Sequence, residues 1–278
     1  ALGVLATTIE NGQVKENGYY EMSDTLALVR KDDAQTADFI REKFAIPHQV
    51  VTVDESSILI VDDCNRRWRL PLGDAEYSSL IGQDVLRICR EVATERDLFN
   101  CHGTFYELPA ENADGYAKMR PIASHNFRIH DYASYRGMLV MTGINPKEMK
   151  NKEHIIVSED GKAAVWAGAI DDLWEMGKPV GKGGPWKNTA VKAGEASDPY
   201  LIGFYDKKNL TLSHSSQSDV TFTVEVDPTG NGKWVKYATL TVKPGEQMKH
   251  EFKAPFQARW IRFSIDADTN ATAWLEYK

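Results

Sequence analysis

Apart from one stretch, the hydrophobic period of this chain is two, which points away from a helical or α/β fold. The alternation is cleanest near the C-terminus. There Val220, Phe222, Val224 and Val226 fall on one side and Thr221, Thr223 and Glu225 on the other, the pattern of a half-buried antiparallel strand. Thr229-Gly230-Asn231-Gly232 reads as a turn into the run 234–242. With further runs at 258–265 and 271–277, five or six strands fit into about 80 residues, the density of a small antiparallel β-sandwich.

Upstream, shorter apolar runs at 57–61, 137–144, 155–157 and 163–169 are bounded by Gly, Asp and Asn, the punctuation of antiparallel strands. Ile58 to Asp63 leads to Trp68, and Ile155-Ile156-Val157 leads through Asp160-Gly161 to Trp166. Both read as strand, acidic turn and Trp-bearing strand, an echo that propeller blades, stacked hairpins or two unrelated hairpins would all produce. The single helix is expected after Asp33 as N-cap, with Ala37, Ile40 and Phe44 on one face and Pro47 as the stop.

Residues 177–199 hold Gly177, Gly181, Gly183, Gly184 and Gly194 with Pro179, Pro185 and Pro199. That composition predicts neither strand nor helix and is read as a domain junction. The expected organisation is a mostly β chain: residues 1–195 form a β-propeller-like or repeated-hairpin domain, and residues 196–278 form the sandwich. At roughly 40 to 50 residues per blade the first domain holds about four, the bottom of the propeller range. The chain therefore reads either as a piece of a longer protein or as a compact relative whose first domain is not a closed propeller.

Thirty-three basic and 40 acidic residues in 278 give a net charge of −7, which argues against nucleic acid as a partner. No apolar run reaches the roughly 18 residues of a membrane helix, so no membrane span is expected. Cys64, Cys89 and Cys101 are odd in number and lack CxxC spacing, so they read as buried small hydrophobes. The chain opens without Met, basic n-region or cleavage pattern, so the N-terminus does not give the localisation.

Polar and aromatic residues are densest between Arg90 and Arg136. Proton transfer on a polar substrate needs a His or Tyr to exchange the proton and an Arg to hold a carboxylate bidentately. The candidate catalytic residues are accordingly His102, His125, Glu95, Arg96 and Arg136, with Tyr106 and Asn126 as substrate contacts. The competing reading is a buried network in which Glu91, Glu95 and Asp131 pair with Arg90, Arg96 and Arg136. His125 and His130 are five apart, which puts them on opposite faces of a strand. There is no HExxH, EF-hand, phosphate-binding glycine loop or GxSxG pattern, so neither a metal nor another cofactor is expected.

Asp171-Asp172-Leu173-Trp174, followed by Trp186, sets two carboxylates beside two indoles. Glycosidases use carboxylate pairs, and Trp174 and Trp186 are candidate sugar contacts. Adjacent aspartates also cap turns, and buried indoles also simply pack. In the C-terminal module Trp260 and Trp274 are expected on the outer face, as glycan contacts or packed against the first domain.

The motifs Arg90-Glu91, Thr94-Glu95-Arg96, His102 to Pro109, Tyr135-Arg136-Gly137 and Asp171 to Trp174 carry a resemblance covering about residues 57–278. The chain resembles the C-terminal part of large secreted bacterial β-propeller proteins of polysaccharide-degrading bacteria. That resemblance implies a propeller followed by a sandwich, in a secreted or periplasmic protein. It carries no catalytic assignment. The expected function is a carbohydrate-active enzyme, a glycoside hydrolase or polysaccharide lyase acting on a complex or acidic polysaccharide. The alternative is a non-catalytic glycan-binding or structural module of a larger secreted protein.

Overall fold

The computed structural model describes residues 1–11, 13–43, 51–62, 64–74, 88–91, 96–109, 113–149 and 152–278. The chain is mostly β. Strands β1 (Leu2–Glu10), β2 (Gln13–Met22) and β3 (Leu28–Arg30) are followed by helix α1 (Ala34–Lys43), then by β4 (Val51–Val53), β5 (Ile58–Val61) and β6 (Arg67–Leu70). Next come β7 (Ile88–Glu91), β8 (Arg96–Cys101), β9 (Thr104–Leu108), β10 (Arg120–Ser124), β11 (Tyr132–Tyr135), β12 (Met138–Met141), β13 (Ile155–Val157) and β14 (Ala164–Gly168). The C-terminal strands are β15 (Gly181–Val191), β16 (Tyr200–Leu201), β17 (Lys208–His214), β18 (Val220–Asp227), β19 (Val235–Val242), β20 (Met248–Phe252), β21 (Trp260–Ile265) and β22 (Thr269–Tyr277). Among the described residues they form several open sheets, none closed into a barrel.

Two compact units result, and they interleave in sequence. The first comprises Ala1–His48, Ala75–Glu107 and Ile122–Gly177; the second comprises Gln49–Asp74, Leu108–Pro121 and Lys178–Lys278. The sequence expectation of one boundary after residue 195 differs from this division.

In the first unit, β11-β12-β14-β13 form one sheet whose two faces pack on different partners. Leu139, Met141, Ala164 and Trp166 join Leu98, Phe105 and Ile122 in one core. Val140, Ala163, Val165 and Ala167 join Val4, Ala6, Tyr20 and Leu28 in another. Alternate side chains of β12 and β14 thus serve opposite cores, which is why β14 is apolar throughout and buried at every position. Helix α1 forms where expected: Asp33 Oδ1 accepts the Thr36 backbone N–H at 2.9 Å, and Ala37 is buried. Phe44 and Pro47 lie outside the described residues.

In the second unit a four-stranded sheet, order β15-β22-β17-β20, faces a seven-stranded one, order β19-β18-β21-β16-β6-β5-β4. Trp186 of the first packs against Phe263 of the second, ring centroids 6.2 Å apart. The hairpin of β5 and β6 enters this unit through a parallel pairing of Arg69 with Tyr200. Asp198 fastens it, accepting from Arg67 Nε at 2.9 Å and Arg69 Nε at 2.8 Å. The two hairpins that echo each other in sequence therefore belong to different units.

In the glycine- and proline-rich segment a unit boundary does fall, between Gly177 and Lys178, but the expectation that it forms no strand is corrected. Residues 181–191 form an 11-residue strand, β15, paired with β22 and broken by register shifts on either side of Trp186. It is an edge strand, where Pro185 removes no needed ladder donor. Its glycines answer crowding: a Cβ on Gly184 would sit 1.7 Å from the Ala273 carbonyl oxygen, and one on Gly183 2.2 Å from that of Ser56.

Trp260 and Trp274 do not share a face. They lie on strands of different sheets, β21 and β22. Trp260 is fully buried against Trp68, centroids 4.9 Å apart, and its Nε1 donates to Ala117 O at 2.8 Å. Trp274 lies under the Lys187 ammonium, 5.5 Å from the ring centroid.

Candidate functional site

His102 and Gly103 are the two central residues of the tight turn between β8 and β9, with φ of +52° and +72°. Positive φ at both central positions is the demand of a type I′ hairpin. His102 is buried there. His125 follows β10 and donates its backbone N–H to Gly103 O at 2.8 Å, so the sheet does bring these two histidines to one end.

The imidazole of His125 is also buried. Its Nε2 lies 2.8 Å from Asn100 Oδ1, and its Nδ1 accepts the Phe127 N–H at 3.2 Å. Those partners fix the Nε2–H tautomer. Phe105 packs on the ring at 5.0 Å, and burial pushes the pKa down to about 3. A neutral ring with both nitrogens engaged is a structural tie between turn and sheet. Tyr106 is buried on the same hairpin against Phe99, whereas Asn126 is exposed.

Arg136 occupies a different turn. It and Gly137, with φ of +51° and +77°, join β11 to β12 in the same two-residue geometry. Its guanidinium is 2.8 Å from Asp24 and lies over the Tyr135 ring. Arg96 opens β8, but its side chain lies outside the described residues, as does Glu95 entirely. Among the described residues, no three His, Cys, Asp or Glu side chains gather as a group that could hold a metal.

Asp171, Asp172 and Trp174 lie on a 3-10 helix, Ile170–Glu175. Ile170 and Leu173 anchor it in the core, leaving Trp174 51% exposed. Asp172 Oδ2 accepts the Ala169 N–H at 2.6 Å, closing the start of the helix, and stands 3.8 Å from His154 Nδ1. Trp186 is buried between the two sheets of the second unit. The two indoles therefore belong to different units.

A cleft of about 590 Å³ in the first unit runs beside α1, lined among others by Glu16, Tyr19, Arg30, Lys31, Asp32 and Arg41. Much of its charge is answered from within. Arg41 pairs with Glu16 and Asp38, Asp33 caps the helix, and Arg30 lies 3.7 Å from Asp160.

A partly exposed aromatic grouping lies on the second unit. Strand β19 ends the seven-stranded sheet and β20 ends the four-stranded one. Val224 pairs with Ala238, but Glu225 pairs with Lys236, so Tyr237 is the extra residue of a β-bulge. A bulge re-aims the side chain it carries. Tyr237 reaches the facing edge, where its hydroxyl lies 3.1 Å from His250 Nε2. Its ring packs at 5.4 Å from Phe252 and 5.1 Å from Phe256, yet stays 37% exposed. Burial lowers the His250 pKa and raises that of Tyr237. Val235, on the same strand, is 55% exposed. The result is an open aromatic edge with a phenol and an imidazole at its rim.

Reading for alternation passed over Tyr237, His250 and Phe256. The signal is in the spacing: apolar positions 235, 238, 240 and 242 step by three once and by two thereafter, as an inserted bulge residue requires.

No protein-family model matches the sequence, and no curated protein matches it. Among solved structures the chain is similar to the crystal structure of the Clostridium thermocellum N-terminal endo-1,4-beta-D-xylanase 10B, CBM22-1 and GH10 modules, complexed with xylohexaose. The identity is 22% and the TM-score 0.17, over 34% of this chain and 18% of that one. The match thus spans less than a fifth of the xylanase chain, and at that TM-score it defines no common fold.

Proposed function

We propose that the chain recognises carbohydrate, and that the edge between β19 and β20 is the contact surface. The observation that carries the reading is the bulge at Tyr237, which keeps an aromatic ring partly exposed beside a hydrogen-bonding phenol and imidazole. A pyranose has apolar C–H faces and a belt of hydroxyls. It is matched by a ring that offers an apolar body and a polar tip. Single exposed apolar residues need no explanation, but a contiguous group at one edge does.

In this reading the chain is a glycan-binding part of a secreted or periplasmic bacterial protein. The first unit is taken as propeller-like, supported by a sheet, β11-β12-β14-β13, that packs on both of its faces. A second reading, cleavage of polysaccharide by hydrolysis or elimination, is favoured by the partly exposed Asp172 and His154 beside Asp171 and Trp174. There Asp172 or His154 would move the proton and Trp174 would hold a sugar ring.

Affinity electrophoresis and calorimetry of the full chain against a panel of soluble polysaccharides test the first reading. Retardation by at least one glycan, lost in Tyr237→Ala with the circular dichroism spectrum intact, is the expected result. Retardation that survives Tyr237→Ala removes the edge from recognition. Product release that disappears in Asp172→Asn would instead establish the second reading.

A further inference from the structure

Residues 233–253, which carry the aromatic edge, hold five lysines, Lys233, Lys236, Lys243, Lys249 and Lys253, against two carboxylates, Glu246 and Glu251. The local excess of three positive charges stands out in a chain of net charge −7. All five lysines are exposed, and among the described residues none has an ion-pair partner. Lys178, Lys187 and Lys192 of the same unit are paired with Asp206, Glu55 and Asp268. Five of the second unit's unpaired lysines thus lie along this segment, and Lys182, Lys207 and Lys278 of the same unit are likewise outside any ion pair among the described residues.

Register sets this charge along the two edge strands. Lys236 sits on β19 one residue before Tyr237, opposite Glu225. Lys249 sits on β20 opposite Thr211 and, like Glu251, on the strand face turned away from His250 and Phe252. Lys243 follows β19, Lys253 follows β20 and Lys233 precedes β19, so lysines flank the aromatic group at the strands and at their ends. One edge lysine suffices to discourage strand addition. Five along the segment that carries an exposed tyrosine give that edge a local positive field that draws an anion.

We propose that the ligand of this edge is a linear polyanionic glycan, carboxylated or sulfated. A sugar ring stacks on Tyr237 and Phe256, while anionic groups further along the polymer meet the lysines of β19, of β20 and of their ends. The proposal rests on the carbohydrate reading of the edge and adds the charge class.

The full chain is titrated by calorimetry with polygalacturonate, chondroitin sulfate, neutral xylan and a single-stranded oligonucleotide. The expected result is binding of one or both anionic glycans that weakens about tenfold between about 0.05 and about 0.5 M sodium chloride. The double variant Lys236→Ser, Lys249→Ser should weaken it about tenfold as well, with the thermal transition unchanged. Which anionic glycan binds distinguishes carboxylate from sulfate. Xylan bound as well as either anionic glycan, dependent on Tyr237 but indifferent to the lysines, overturns the charge class and leaves carbohydrate recognition standing. An oligonucleotide that binds more tightly than both anionic glycans through the same residues overturns both. Binding of no probe also overturns both.

Discussion

The Tyr237 hydroxyl and His250 Nε2 lie 3.1 Å apart, joining the edge strands of two facing sheets through a residue that the seven-stranded ladder leaves unpaired. The contact is at a half-wet rim, so its two parts separate by substitution. Tyr237→Phe removes only the hydroxyl and should cost about 1 kcal/mol or less. Tyr237→Ala also uncovers Phe252 and Phe256 and should cost about 1–2 kcal/mol. Urea denaturation of both variants checks the order; a Phe variant as unstable as the Ala variant would mean that the hydroxyl outweighs the ring.

His125 should make the protein labile to acid. Its folded pKa of about 3 lies below the ordinary value of 6.5, so between those limits the unfolded chain binds the extra proton. Stability from this group is fully present above pH 6.5 and falls as pH drops towards 3, by up to about 1.4 kcal/mol per pH unit. His125→Gln should be less stable near neutrality but show a flatter loss between about pH 6 and about pH 4. Denaturation midpoints at the two pH values measure the slopes, and parallel slopes would refute the assignment.

Arg136 should tolerate replacement that a substrate-binding arginine would not. Its φ of +51° suits Asn better than Arg, and its pairing with Asp24 joins two exposed side chains. The gain from backbone preference and the loss of a surface ion pair are each under about 1 kcal/mol and oppose one another. Arg136→Asn should therefore keep the thermal midpoint and any glycan binding nearly unchanged. Loss of binding with the fold intact would return Arg136 to the site.

What the sequence disclosed and concealed follows from what alternation can encode. Val220 to Val226 alternate because one face is buried and the other wet, and the strand appears where the pattern places it. Alternation does not say which sheet a strand joins. Arg69 meets Tyr200 across 131 positions, so the entry of residues 51–70 into the second unit left no local trace. His102 and Arg136 attracted a chemical reading by residue type, whereas the following glycine carried the message: His102-Gly103 and Arg136-Gly137 are two-residue hairpin turns. Conversely Tyr237 looked ordinary, because a bulge shows only as one irregular step in an otherwise regular spacing.

The glycines of β15 provide the sharpest contrast, because two substitutions of the same kind should behave oppositely. A Cβ on Gly184 would lie 1.7 Å from the Ala273 carbonyl oxygen and 2.8 Å from its carbon, both backbone atoms of β22 that no rotamer can move. Gly184→Ala must push the paired strands apart and give up ladder hydrogen bonds beside the core that holds Trp186. It should cost about 3 kcal/mol or more. Gly194, just past the strand, has φ of +78° but no atom within 4 Å of its virtual Cβ. Gly194→Ala meets only the left-handed backbone penalty and should cost about 1–2 kcal/mol. Urea denaturation with the Trp fluorescence of the second unit as probe compares them directly. Equal costs would mean that β15 yields at Gly184 without disturbing its pairing, and that the glycines there are not required by the close approach of β22.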